Sequence, residues 1–137
     1  MLGAFKPKIG IIPCNGEECP EGTLTRFACR KVLDQLRPDE TVTICLPLFI
    51  SGDKGEQNFA KNFPTITVDG CEKRCSLMST EKLSGKTREA VVISDLLKKH
   101  GMEPPQSRRR LTEKSQAAID LVAEEIARTV DKILSEA

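Results

Sequence analysis

The chain has 137 residues, 39% of them hydrophobic and 30% charged, and a formal net charge of +1. That is the make-up of one globular domain, spanning 1–137, large enough to bury a core without staples. So small a net charge excludes a global field for steering nucleic acid or an anionic membrane, and no apolar run approaches the ~20 residues needed to span a bilayer. The apolar run within Met1 to Cys14 is interrupted by Lys6, Pro7 and Lys8 and is too short for a signal peptide. The expected setting is therefore the reducing cytoplasm, where six cysteines serve metal binding or thiol chemistry better than three disulfides.

Lys8 to Pro13 is a short apolar run that predicts a buried first strand, ended by the turn signal Pro13-Cys14-Asn15-Gly16. After a loop over Glu17 to Gly22, a helix is expected from Thr23 to Leu36. Leu24, Ala28, Val32 and Leu36 repeat along one face, Thr23 is the N-cap, and Pro38 closes the segment. Cys29 falls in this helix beside Val32 and Leu33 and reads as a small core residue. Thr41 to Leu46 is the second strand, with Cys45 at its end. A loop over Pro47 to Gly55 and a short helix over Glu56 to Asn62 follow.

Thr65 to Val68 is β-branched and reads as the third strand. Asp69-Gly70 breaks it, and Cys71 and Cys75 follow at C-x3-C spacing. Glu72 to Leu83 lacks period-2 alternation and reads as a helix stopped by Gly85. Cys71 then sits at the turn and Cys75 one helical turn later, an offset that puts Cβ atoms about 5–6 Å apart. Ala90 to Ser94 is the fourth strand and Asp95 to His100 a helical turn ended by Gly101. Met102 to Arg110, with Pro104-Pro105 and three arginines, is an exposed connection. Thr112 to Ala137 is the longest helix, with Ile119, Val122, Ile126, Val130 and Ile133 as its apolar stripe. Packing on the sheet is the expected use of that stripe, and a seam for a second copy or a protein partner is the alternative.

Strands alternating with helices predict an α/β fold of Rossmann-like, three-layer type. The sheet is parallel and four-stranded, in the order 2-1-3-4, with a long C-terminal helix over about 112–136. Ligands in such sheets sit beyond the carboxyl ends of the strands. Cys14 follows strand one, Cys45 ends strand two and Cys71 follows strand three, so three distant segments deliver thiols to one sheet edge. Adjacent strands lie ~4.8 Å apart, and Cys75 completes a set of four. Four thiolates suit Zn2+, each at ~2.3 Å, with an iron–sulfur cluster as the alternative tenant. Helix N-termini are expected to lower the thiol pKa values. Cys14-x4-Cys19 is also at ligand spacing, so Cys14, Cys19, Cys71 and Cys75 form a second candidate set that leaves Cys45 to the core. Cys19 serves equally as a resolving thiol, and a thiol–disulfide enzyme working through Cys71/Cys75 or Cys14/Cys19 is the rival chemistry.

Other chemistries lack their residues. The position where a Cys-x5-Arg phosphate loop needs arginine, counted from Cys14, holds Pro20, and no glycine-rich nucleotide motif follows strand one. His100, the only histidine, sits at a helix end where carbonyl contacts account for it. Lys73 and Arg74 read as a solvated face, Arg108 to Arg110 as a solvated linker without stacking aromatics, and Asp69 as a turn former. No catalytic residue is assigned.

Asp69-Gly70-Cys71 after a strand, with Cys75, Cys14-Asn15-Gly16, Glu21-Gly22-Thr23 and Cys45-Leu46-Pro47 at matching places, resembles the DGC-domain family of zinc-binding proteins. The resemblance runs from strand one through strand four, and the helix after Arg110 lies outside it. It implies a metal site and names no reaction. The family's four recurrent cysteines map onto Cys14, Cys45, Cys71 and Cys75. Many members carry proline after the motif cysteine, where this chain has Glu72.

Overall fold

Ile9–Pro13 is buried along its whole length and forms the first strand, β1. In this computed structural model, which describes residues 8–136, it pairs in parallel with β2 (Thr41–Thr43) on one side and β3 (Thr65–Asp69) on the other. Strand β4 (Glu89–Val92) adds in parallel to β3, so the order is β2-β1-β3-β4, as the alternating pattern predicts. The reading of the first seven residues and the placing of Ala137 in the last helix lie outside the described residues.

The two sheet faces differ. Ile9, Ile11, Ile66 and Val68 point to one side, into a core with Leu24 and Ala28 of α1 (Pro20–Lys31), Ile93 and Leu97 of α6 (Ile93–Lys99), and the stripe of α7 (Glu113–Ser135). All five stripe residues of α7 are buried there, so the stripe packs within the chain. Thr112 caps α7, accepting a hydrogen bond from the Ser115 N–H at 3.2 Å. Cys29 is fully buried in the same core, where burial pushes its thiol pKa up. Lys31–Asp120 and Arg37–Asp131 ion pairs, each 2.7 Å, tie the first helical segment to α7.

The opposite face presents Gly10, Thr65 and Thr67 to smaller elements: α2 (Leu46–Ile50), α3 (Lys54–Gln57), α4 (Phe59–Asn62) and α5 (Cys75–Leu83). Gly10 is required by close approach. A Cβ there would lie 2.4 Å from a Phe59 ring carbon and 2.9 Å from Thr65 Oγ1.

Several element ends differ from the sequence expectation, each for a local reason. Helix α1 starts at Pro20 rather than Thr23 because proline fits the first turn, and Cys19 becomes the N-cap. Val32–Leu36 continues it as a π-helical stretch closed by Arg37 N–H donating to the Val32 carbonyl at 2.8 Å. Strand β2 stops at Thr43, since Pro47 in the first turn of α2 starts a helix where a loop is predicted. The predicted helix over Glu56 to Asn62 is two short pieces, α3 and α4. Helix α5 begins at Cys75 and not at Glu72, so Cys71 lies in the preceding turn and the two thiols do not share a helix face. Strand β4 ends at Val92, and Ile93 already belongs to α6. Among the described residues no helix is long and apolar enough to cross a membrane.

Candidate metal centre

Three loops meet beyond the carboxyl ends of β1 and β3, and glycine is what lets them touch. A Cβ on Gly22 would sit 2.1 Å from the Gly16 carbonyl oxygen, and one on Gly70 would sit 2.6 Å from the Gly22 nitrogen. Gly16, Gly22 and Gly70 therefore stack backbone on backbone, joining the loop after Cys14, the start of α1 beside Cys19, and the Asp69-Gly70-Cys71 turn. The Asp-Gly-Cys glycine thus serves close approach.

Thr25, fully buried, fastens the first two loops. Its hydroxyl donates to the Gly22 carbonyl at 2.6 Å and accepts from the Asn15 N–H at 3.0 Å. Asn15 holds a left-handed backbone with φ of 52° directly after Cys14. That turn aims the Gly16 N–H at Cys14 Sγ, 3.3 Å away, an outer contact of the kind that supports sulfur as a metal ligand.

Asp69 is not merely a turn former. Its buried carboxylate accepts from the Ser76 N–H at 2.7 Å and the Leu77 N–H at 3.2 Å, satisfying first-turn donors of α5. The residue at the helix's own N-cap position, Arg74, supplies no side-chain cap and is left-handed with φ of 52°. Ser76 Oγ donates to the Ile12 carbonyl at 2.7 Å, pinning α5 to β1. Together these bonds set where Cys75 leaves the sheet edge. Desolvation raises the Asp69 pKa, and the two backbone donors and Arg74 oppose that shift.

The thiols fall into two neighbouring spaces. Cys14, Cys19, Cys71 and Cys75 line one small cavity of about 60 Å³. Cys45, exposed at the N-cap of α2, lines an adjoining groove of about 960 Å³ with Ile44, Leu46, Pro47 and Ile50. Cys14 borders both. Among the described residues no three His, Cys, Asp or Glu side chains converge on a point where one ion could sit. The sulfurs line a shared wall without closing on its centre. In kind and number the donors suit zinc: soft thiols, more than the four that a tetrahedral ion takes.

The electrostatics differ from expectation. Helix N-termini were expected to lower the thiol pKa values, yet those of Cys19 and Cys75 are raised. Burial is the first cause for both. Glu21 and Cys71 add to it at Cys19, and Asp69, Cys14, Cys71 and Glu18 add to it at Cys75. Carboxylates and thiols crowded at one edge oppose further negative charge.

The arginine-rich connection is also more than a linker. Arg108 Nη2 donates to the Glu18 carbonyl at 2.6 Å, and Thr23 Oγ1 donates to the Arg108 carbonyl at 2.8 Å. Residue 108 is thereby strapped against the Cys19 loop. His100 Nε2 lies 3.7 Å from Glu125, away from the thiols.

Comparison with known proteins yields one match. The DGC domain family matches residues 10–133, reaching into α7 and so beyond the strand-four limit of the motif resemblance. No curated protein and no solved structure matches.

Proposed function

Because the chain belongs to the DGC domain family, we propose that it is a zinc-binding protein holding one Zn2+ at the carboxyl edge of its sheet. Cys14, Cys71 and Cys75 are three of the ligands, and the fourth is Cys45 or Cys19. One observation carries the reading: thiols from after β1, from the turn after β3 and from the first turn of α5 line a single cavity. The family pattern favours Cys45 for the fourth position, and the shared cavity favours Cys19. A site closed by four thiolates offers no open coordination position, so its use is structural or regulatory, including the handling of metal. A reducing, cytoplasmic setting keeps such thiols available.

Elemental analysis of protein purified anaerobically without chelator tests this. About one zinc per chain is expected for the wild type. Cys14→Ser, Cys71→Ser and Cys75→Ser are expected to lose most of it, and one of Cys19→Ser and Cys45→Ser to do the same. Because the thiols bind as thiolates, zinc affinity should fall about tenfold per pH unit for each proton displaced as the solution is acidified. Wild-type protein with free thiols and no metal would contradict the reading, as would variants that all keep full zinc.

A further inference from the structure

Five of the six cysteines stand at the sheet edge, one more than a tetrahedral ion takes, and two of them lie on segments that are tied together. The loop carrying Cys19 and the turn carrying Cys71 are tied together on both sides of the thiols. On one side Lys73 Nζ donates to the Glu18 carboxylate. On the other, the Gly70 backbone packs on Glu21 and Gly22, and the Gly22 N–H closes back onto the Cys19 carbonyl at 3.0 Å. Cys19 and Cys71 lie between these two ties, both half-buried, on the wall of one cavity. Cys75 is separated from Cys71 by the left-handed Arg74 and is exposed, and Cys45 faces the adjoining groove.

We propose that Cys19 and Cys71 form a disulfide when the metal-free protein meets a peroxide, because the Glu18–Lys73 and Gly22–Gly70 contacts hold the two segments that carry them against each other on one cavity wall. One sulfur attacks the peroxide, the O–O bond breaks, and hydroxide leaves and takes up a proton as water. The other sulfur then displaces the new oxygen as a second water, forming the S–S bond. In sum, two thiols and one hydrogen peroxide give one disulfide and two waters. This pairing is neither of the two pairs that sequence spacing suggests. It also bears on the zinc reading, on which this consequence alone rests: an oxidised Cys71 is no longer a ligand, so oxidation would release the ion.

The test is peptide mapping of chelator-treated, reduced protein after exposure to hydrogen peroxide and alkylation of the remaining thiols. Cys14 and Cys19 share the tryptic peptide 9–26, so a second protease cutting after Glu17 or Glu18 is needed to separate them. The expected product is an intramolecular Cys19–Cys71 link that survives in Cys45→Ser and Cys75→Ser and is lost in Cys19→Ser. A dominant Cys71–Cys75, Cys14–Cys19 or Cys14–Cys45 link would overturn the proposal, and so would oxidation that yields only over-oxidised sulfur. Repeating the exposure on zinc-loaded protein separates the two claims. Slower cross-linking supports the coupling, whereas an unchanged rate overturns the coupling and leaves the disulfide standing. If no zinc can be loaded, the zinc reading fails and the mapping result is untouched.

Discussion

Gly22→Ala is expected to destabilise the fold by about 3 kcal/mol, the upper end of overpacking costs, and to remove most of the bound zinc. The added methyl would meet the Gly16 carbonyl oxygen at 2.1 Å and the carbonyl carbon at 2.8 Å. Both are main-chain atoms, so no flexible side chain can swing away. Relief requires the Cys14-Asn15-Gly16 loop to move off α1. That in turn breaks the Thr25 bonds to Gly22 and Asn15 and carries Cys14 away from Cys71. Gly55→Ala is the matched control: its new methyl would meet only the Asp53 carboxylate, at 3.3 Å, and should change stability by less than about 0.5 kcal/mol. Urea unfolding of the two variants measures the difference. Equal midpoints would mean that the three glycines do not hold the loops together.

Asp69→Ala is expected to cost a similar amount for a different reason. It leaves the Ser76 and Leu77 N–H groups without their acceptor, and each orphaned buried donor costs about 1–3 kcal/mol. Helix α5 would fray at its first turn, where Cys75 sits, so zinc retention should fall along with stability. Asp69→Asn keeps an oxygen for Ser76 and should be milder. It also isolates a pH effect. Desolvation puts the folded-state pKa of Asp69 above its unfolded value, so the folded state holds this proton more tightly. Its contribution to stability is fully present below the unfolded pKa and is lost as pH rises through the folded one. Unfolding measured across that window should show a slope in the wild type that Asp69→Asn lacks. Identical pH profiles would remove Asp69 from the account.

The parts of this molecule that follow from local pattern were readable in its sequence. Strands alternating with helices, together with right-handed crossovers, dictate a parallel sheet in the observed order. The step of three or four from Ile119 to Ile133 shows which face of α7 is buried. That Cys14 and Cys71 share a sheet edge follows from both trailing adjacent strands. Less legible was anything set by contacts between distant loops. Asp69 caps a helix seven residues on, because left-handed Arg74 leaves that helix without a cap of its own. An aspartate at a strand end, before a helix whose N-cap position holds Arg74 in place of Ser, Thr, Asp or Asn, is the signal that pointed there.

Two prolines move two helix starts, and with them the surroundings of Cys19 and Cys45, the two candidates for the fourth position. Pro20 begins α1 early and draws Cys19 to the cavity wall, while Pro47 begins α2 early and leaves Cys45 exposed. Proline's preference for the first helical turn was the usable clue in both cases. The glycine stack had none, since a close approach of Gly16, Gly22 and Gly70 becomes visible only once the three loops are assembled.

Zinc K-edge X-ray absorption on the anaerobically purified wild-type protein tests the central claim most directly, because it counts sulfurs around the ion without disturbing any of them. A first shell of four sulfurs at about 2.3 Å is the expected result. A shell dominated by nitrogen and oxygen, or protein that carries no zinc at all, would contradict it.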